Sequence, residues 1–204
     1  MTDMRAHWQN VYETRLPTKV SWYQSVPEPS LSLFESLDKA RSASVIDIGG
    51  GASTLVDHLL ERQFADITIL DLSAAALTHA KKRLGPRADV VTWLEADITS
   101  WRPARAYDVW HDRAVFHFLV SHPAQDAYLT ALADGTRAGS AVIMATFALD
   151  GPERCSGLPV QRYDSESLAA RLGPRFVLAA HDVDLHRTPG DAVQKFNFAV
   201  FKRK

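Results

Sequence analysis

Apolar positions along the chain follow two alternating rhythms. Val45, Ile46 and Ile48 form a short β-branched run of the kind buried inside a parallel sheet. Leu55, Val56, Leu59 and Leu60 follow at the spacing of a helix face packed on a sheet. Ile67 to Leu70 repeats the strand pattern and ends in Asp71. Leu77, Ala80 and Leu84 make the next helical stripe, opened by Ser73 as N-cap and stopped at Gly85-Pro86. Residues 88–94 predict a third strand and Tyr107–Trp110 a fourth. Pro123–Ala133 reads as a helix, D-G-T-R-A-G-S as a turn and Ala141–Phe147 as a fifth strand. Asp164 caps a helix ending at Gly173-Pro174. Phe176–Leu185 and Lys195–Lys202 are the last strands. About nine residues separate them, too few for a helical crossover, so they pair antiparallel. The class is α/β, a doubly wound sheet with helices on both faces.

Residues before the first strand have a different texture. A helix over 3–15 carries Trp8, Val11 and Tyr12 on one face. An extended, proline-containing stretch with Trp22 and Tyr23 follows, then a helix bearing Leu31, Phe34 and Leu37 after Pro29. Residues 1–40 are expected to form a helical, aromatic cover segment and 41–204 the core domain. Such a segment either closes over a ligand or simply packs on the domain.

Chemistry concentrates where the first strand turns into the first core helix. Gly49, Gly50 and Gly51 follow the strand at once, and glycine lets the backbone turn sharply and approach a ligand. Turn and helix N-terminus lie at the carboxyl edge of the sheet, where such folds bind ligands. Asp71 ends the second strand twenty positions after Gly51, placed to accept from the vicinal hydroxyls of a ribose. A dinucleotide fingerprint would read Gly49, Gly51, Thr54 and so lacks its third glycine. Asp47 stands two positions before Gly49, where a carboxylate disfavours a pyrophosphate and suits a cationic ligand.

The pattern Asp47-x-Gly49-x-Gly51, with Ser53 at the position of a third glycine, resembles motif I of the class I S-adenosylmethionine-dependent methyltransferases. That resemblance implies a Rossmann-like sheet of order 3-2-1-4-5-7-6 with an antiparallel final strand. It implies S-adenosylmethionine as cofactor. Trp22, Asp47, Gly49, Gly50, Gly51, Asp71, Leu72 and Ser73 would hold it, with Asp97 and Ile98 framing the adenine and His111 near its reactive end. H-W-x-x-x-Y and S-W-Y-Q near the N-terminus also look like the entry segment of small lysine and thiol methyltransferases of this class. Asp112-Arg113-Ala114 only partly matches the Asp-Lys-Gly-type sequence of the lysine-directed relatives.

His111, Asp112 and Arg113 follow the fourth strand, beside the first strand across the switch point. If 113–120 turns helically, Arg113 and His117 share a face. These four are the expected catalytic residues, with His111 and His117 as bases for an acceptor that enters protonated. Arg113 is able to pair an anionic acceptor. A small-molecule nucleophile, a thiol or other heteroatom, is the favoured acceptor, methylated by in-line displacement. A protein lysine is the alternative, and a non-catalytic nucleoside-binding regulatory domain a further one.

Composition narrows the partners. With 23 basic and 24 acidic side chains the formal net charge is -1, which offers no field for nucleic acid or an anionic membrane. No apolar run reaches membrane-spanning length and the N-terminus has no signal-like segment, so a cytoplasmic location is expected. The eight histidines lack metal-ligand spacing, so no metal is expected. Cys155, the one cysteine, has no partner for a disulfide and no flanking motif of a nucleophile.

Overall fold

Strands that are apolar on both faces need cover on both faces, and the computed structural model supplies it. It describes residues 3–37 and 39–204; Met1, Thr2 and Asp38, part of the expected 1–40 segment, lie outside the described residues. Five strands run parallel: β1 (Ser44–Ile48), β2 (Asp66–Asp71), β3 (Val91–Glu95), β4 (Tyr107–Arg113) and β5 (Thr136–Phe147). Two antiparallel strands, β6 (Phe176–Arg187) and β7 (Val193–Arg203), complete the sheet, with β7 against β5. The order is β3-β2-β1-β4-β5-β7-β6, as the resemblance implied. A short hairpin pairs Arg154–Cys155 with Leu158–Pro159.

Alternation along the strands splits the interior into two layers. Val45, Val109 and Ile143 face α2 (Ser30–Ser36), α3 (Leu55–Glu61) and α4 (Ala74–Leu84), packing on Leu31, Phe34, Leu55, Leu59 and Leu77. Ile46, Trp110 and Met144 face α5 (His122–Asp134) and α6 (Ser165–Leu172), packing on Tyr128, Leu132 and Leu168. Ser73 caps α4 by accepting from Ala76 N at 3.2 Å, and Asp164 caps α6. α1 (Met4–Thr14) lies across the carboxyl edge against α4: Gln9 Oε1 accepts from Ser73 Oγ and from Ala75 N.

Three boundaries depart from the expected ones. Residues 85–90 form a 3-10 turn after Gly85-Pro86, so β3 starts at Val91 rather than at 88. β5 starts at Thr136, inside the expected turn, because Thr136 Oγ1 bonds Leu132 O and Ser140 Oγ bonds Tyr107 O beside an irregularity in the β4–β5 register. β4 runs on from Trp110 through Arg113. Residues 114–120 carry only a 3-10 turn, Phe116–Phe118, so Arg113 and His117 do not share a helix.

The extended β4 explains three polar residues in a row. Strand geometry sends His111 to the α2–α3 side and Asp112 to the α5 side. Asp112 accepts from Tyr128 OH at 2.6 Å and from Val115 N at 2.8 Å, while Trp110 Nε1 donates to Tyr128 OH at 3.0 Å. Tyr128→Phe removes this bridge and leaves the buried Asp112 short of a donor. Urea unfolding should record a loss of about 1–3 kcal/mol; an unchanged midpoint would contradict this role for the hydroxyl.

Candidate active site

Two adjoining cavities open at the carboxyl edge, sharing walls at Tyr12, Trp22, Ile48, Gly49 and Arg113. The larger, about 590 Å³, runs from Asp71, Leu72, Asp97 and Ile98 past Gly49 to Arg113, Phe118, Cys155 and Phe196. The smaller, about 50 Å³, lies between the glycine turn and the N-terminal segment, against Ser30, Asp47, Gly50 and His111.

Each glycine of the turn has its own reason. Gly49 has φ +69°, and a Cβ there would lie 2.1 Å from Val115 Cγ2. A Cβ at Gly51 would lie 2.4 Å from Asp71 Oδ2 and 2.9 Å from Ala76 Cβ. Gly51 lines neither cavity; its bare backbone lets the Asp71 carboxylate stand where it does, and its N–H donates to that carboxylate. Ser73, also outside both walls, donates its N–H to Asp71 Oδ1 at 2.8 Å. Burial, with Asp47 adding repulsion, pushes the Asp71 carboxyl up to about 7 against these backbone donors. Asp97 Oδ1 accepts from Thr99 N and Thr99 Oγ1 at 2.8 and 2.7 Å, so the carboxylate caps its own turn while lining the cavity.

Asp47 and His111 occupy paired positions on β1 and β4, both 2% exposed. Nδ1 lies 2.7 Å from Asp47 Oδ1, and Nε2 lies 2.9 Å from Ser30 Oγ at the start of α2. Both ring nitrogens are thus engaged. His117 lines neither cavity. Its Nδ1 accepts from Phe147 N, and burial, with the nearby Arg113 charge, pushes it down to about 3, so it stays neutral. Asp112 also lies outside both walls. Cys155 lines the large cavity, but burial pushes its thiol up to about 12.

The N-terminal segment is stitched over this edge by backbone carbonyls. Arg113 Nη1 donates to Trp22 O at 3.0 Å and Thr54 Oγ1 to Gln24 O at 2.9 Å; His186 Nε2 lies 2.7 Å from Ser21 O and His79 Nε2 2.8 Å from Tyr12 O. Trp8 stacks edge-on against Trp22 and Phe118. Sequence reasoning missed Ser30, Val115, Phe118, Leu158 and Phe196. Ser30, Leu158 and Phe196 reach the site from distant parts of the chain, Val115 and Phe118 follow β4 directly, and none carries a motif of its own.

Comparison with known proteins converges on one class. Residues 46–140 match the family of the methyltransferase domain. Trans-aconitate 2-methyltransferase of Rhizobium etli is 33% identical over 95 residues, covering 46% of this chain and 36% of that enzyme. The matched stretch thus spans little more than a third of that relative's length. A S-adenosylmethionine-dependent methyltransferase from Anabaena variabilis superposes with a TM-score of 0.79 at 15% identity, over 100% of this chain and 96% of the other. The 1,6-didemethyltoxoflavin-N1-methyltransferase of Burkholderia thailandensis, solved with its substrate and S-adenosylhomocysteine, gives 0.70 at 18% identity over 98% and 88%. Residues 46–140 thus match a methyltransferase domain, and the whole chain shares the fold of solved class I S-adenosylmethionine-dependent methyltransferases. The cofactor of that class fits the residues present. Asp71 offers carboxylate lone pairs at the wall, Leu72 and Ile98 offer apolar surface beside Asp97, and Gly49 leaves the turn bare. Among the described residues no helix is long and apolar enough to cross a membrane, and no group of three or more His, Cys, Asp or Glu is placed to hold a metal.

A ribose held by the Asp71 carboxyl would make binding depend on pH. Above about 7 the group is a carboxylate, able to accept from two hydroxyls; below, it carries the proton and that capacity fades. Affinity for S-adenosylhomocysteine should fall roughly tenfold per unit below this value, between about pH 7 and pH 5, and Asp71→Asn should bind weakly with a flatter profile. Calorimetry across this range checks it; a flat wild-type profile would contradict the role.

Proposed function

We propose that this chain moves a methyl group from S-adenosylmethionine to a small molecule held in the same cavity. The observation that carries the reading is the site's size and lining. About 590 Å³ sits beneath walls that include Trp8, Phe118, Leu158 and Phe196, within the roughly 300–1,000 Å³ of small-molecule sites. Its walls come from α1, the segment through Trp22, and the hairpin after β5, so we read residues 3–37 as a cover that shields the reaction from water. An acceptor that can be enclosed suits such a site, and a net charge of -1 offers no basic groove for nucleic acid. The names of the relatives point the same way for those proteins: trans-aconitate and 1,6-didemethyltoxoflavin are small molecules.

S-adenosylmethionine, when bound, supplies a methyl group already activated on a sulfonium. The chain's own contribution is holding and alignment. Asp71 takes the ribose hydroxyls, Leu72, Asp97 and Ile98 frame the base, and the turn at Gly49 and Gly50, backed by Asp47, receives the amino-acid end. The aromatic walls exclude water and orient the acceptor for in-line displacement. His117 is turned away from both cavities, Cys155 stays protonated, and His111 is held between Asp47 and Ser30. The reading favours an acceptor atom that arrives ionised or as a neutral lone pair, as a thiolate, a carboxylate or a ring nitrogen does.

Radiolabelled cofactor added to a lysate split by molecular weight tests this reading. Label should enter the small-molecule fraction. Label on protein lysine would overturn it in favour of a lysine methyltransferase. Cofactor binding with no transfer in either fraction would favour a non-catalytic nucleoside-binding domain.

A further inference from the structure

Arg113 is the one lysine or arginine among the described residues lining either cavity, and it lines both. Its position is fixed from two sides. Nη1 donates to Trp22 O at 3.0 Å, and the guanidinium carbon lies 4.9 Å from the centre of the Phe196 ring. Its other two nitrogens, Nε and Nη2, are buried and have no hydrogen-bond partner among the described residues. These are the two whose N–H bonds run parallel along one side of the planar group. That edge matches the two oxygens of a carboxylate. Asp184 and Asp47 both attract the charge, yet neither comes within hydrogen-bonding distance of it. Burial draws the guanidinium down to about 10, which leaves it charged at neutral pH. A buried, charged fork with its bidentate edge unused is costly unless a ligand completes it.

We propose that the Nε–Nη2 edge of Arg113 is a carboxylate-binding site at the seam of the two cavities. The carboxylate comes either from the amino-acid end of the cofactor or from the methyl acceptor. Both sources place it at the same fork, since Arg113 lies between the glycine turn on one side and the walls at Cys155 and Phe196 on the other. The inference rests on reading the cavity as a methyltransferase site, and its test separates the two.

Calorimetry compares S-adenosylmethionine with its decarboxylated analogue on the wild-type protein, on Arg113→Gln and on Arg113→Lys, with circular dichroism to confirm folding. If the cofactor supplies the carboxylate, the wild type should prefer the intact cofactor at least tenfold. Arg113→Gln should lose that preference, and Arg113→Lys should keep part of it. If the acceptor supplies it, the wild type should bind both cofactor forms equally well. Benzoate and succinate should then bind the wild-type protein saturated with S-adenosylhomocysteine and fail to bind Arg113→Gln. Equal binding of both cofactor forms together with no carboxylate binding to the wild type would overturn the proposal. The wild-type comparisons decide even if a variant fails to fold. Should the wild type bind no cofactor, the methyltransferase reading falls. Benzoate and succinate titrated into the cofactor-free wild type and Arg113→Lys then decide the carboxylate site: binding that weakens in the variant supports it, and no binding to the wild type overturns it.

Discussion

The site depends on a buried contact between the ends of β1 and β4. Asp47 and His111 are register partners at the point where the sheet's connections diverge, and 2.7 Å separates ring nitrogen from carboxylate oxygen. A carboxylate this deep would be strongly penalised without a partner. The pair also reaches outward. Ser30 joins its far side from the N-terminal segment, and a side chain at Gly50 would strike Asp47 Oδ2 at 2.4 Å. Its place on β4 puts Arg113 two residues further along the same face, beside Trp22 and Phe196. The glycine turn, the N-terminal segment and Arg113 therefore meet around one contact.

Much of the fold was legible because parallel strands and their helices carry strong periodicities. Val45 to Ile48, the stripe of α3 and the stripe of α4 each fall where the pattern put them. Errors gathered where polar residues do strand work. His111, Asp112 and Arg113 look like a loop because three titratable groups in succession are costly in a strand. They are tolerated since Ser30, Tyr128 and the carbonyl of Trp22 meet them from remote segments. Val90, 64% exposed, looks like strand by composition, but the turn begun at Gly85-Pro86 has not yet ended.

Site residues divide along the same line. Asp71 and the glycine turn were readable because strand ends and turn sit at fixed separations in this topology. The structure also gives some of them contacts within the protein. Gly51 makes room for a carboxylate of the protein itself, Asp112 holds the turn that carries Val115 and Phe116, and His117 answers to the backbone of β5. None of these roles has a sequence signature, because each is defined by a contact across the fold. Among the described residues, the cavity walls carry carboxylates, bare backbone, aromatic surface, a few hydroxyls, one histidine held by Asp47 and Ser30, and one guanidinium. Such an inventory suits a reaction that needs alignment more than proton transfer.

The central claim is that the carboxyl-edge cavity holds the nucleoside through Asp71 with its amino-acid end at the glycine turn. A crystal structure of the complex with S-adenosylhomocysteine tests it most directly. The account predicts both ribose hydroxyls on the Asp71 carboxylate, the base beside Leu72, Asp97 and Ile98, and the amino-acid end against Gly49. A ligand bound elsewhere, or bound in this cavity with its ribose away from Asp71, would contradict it.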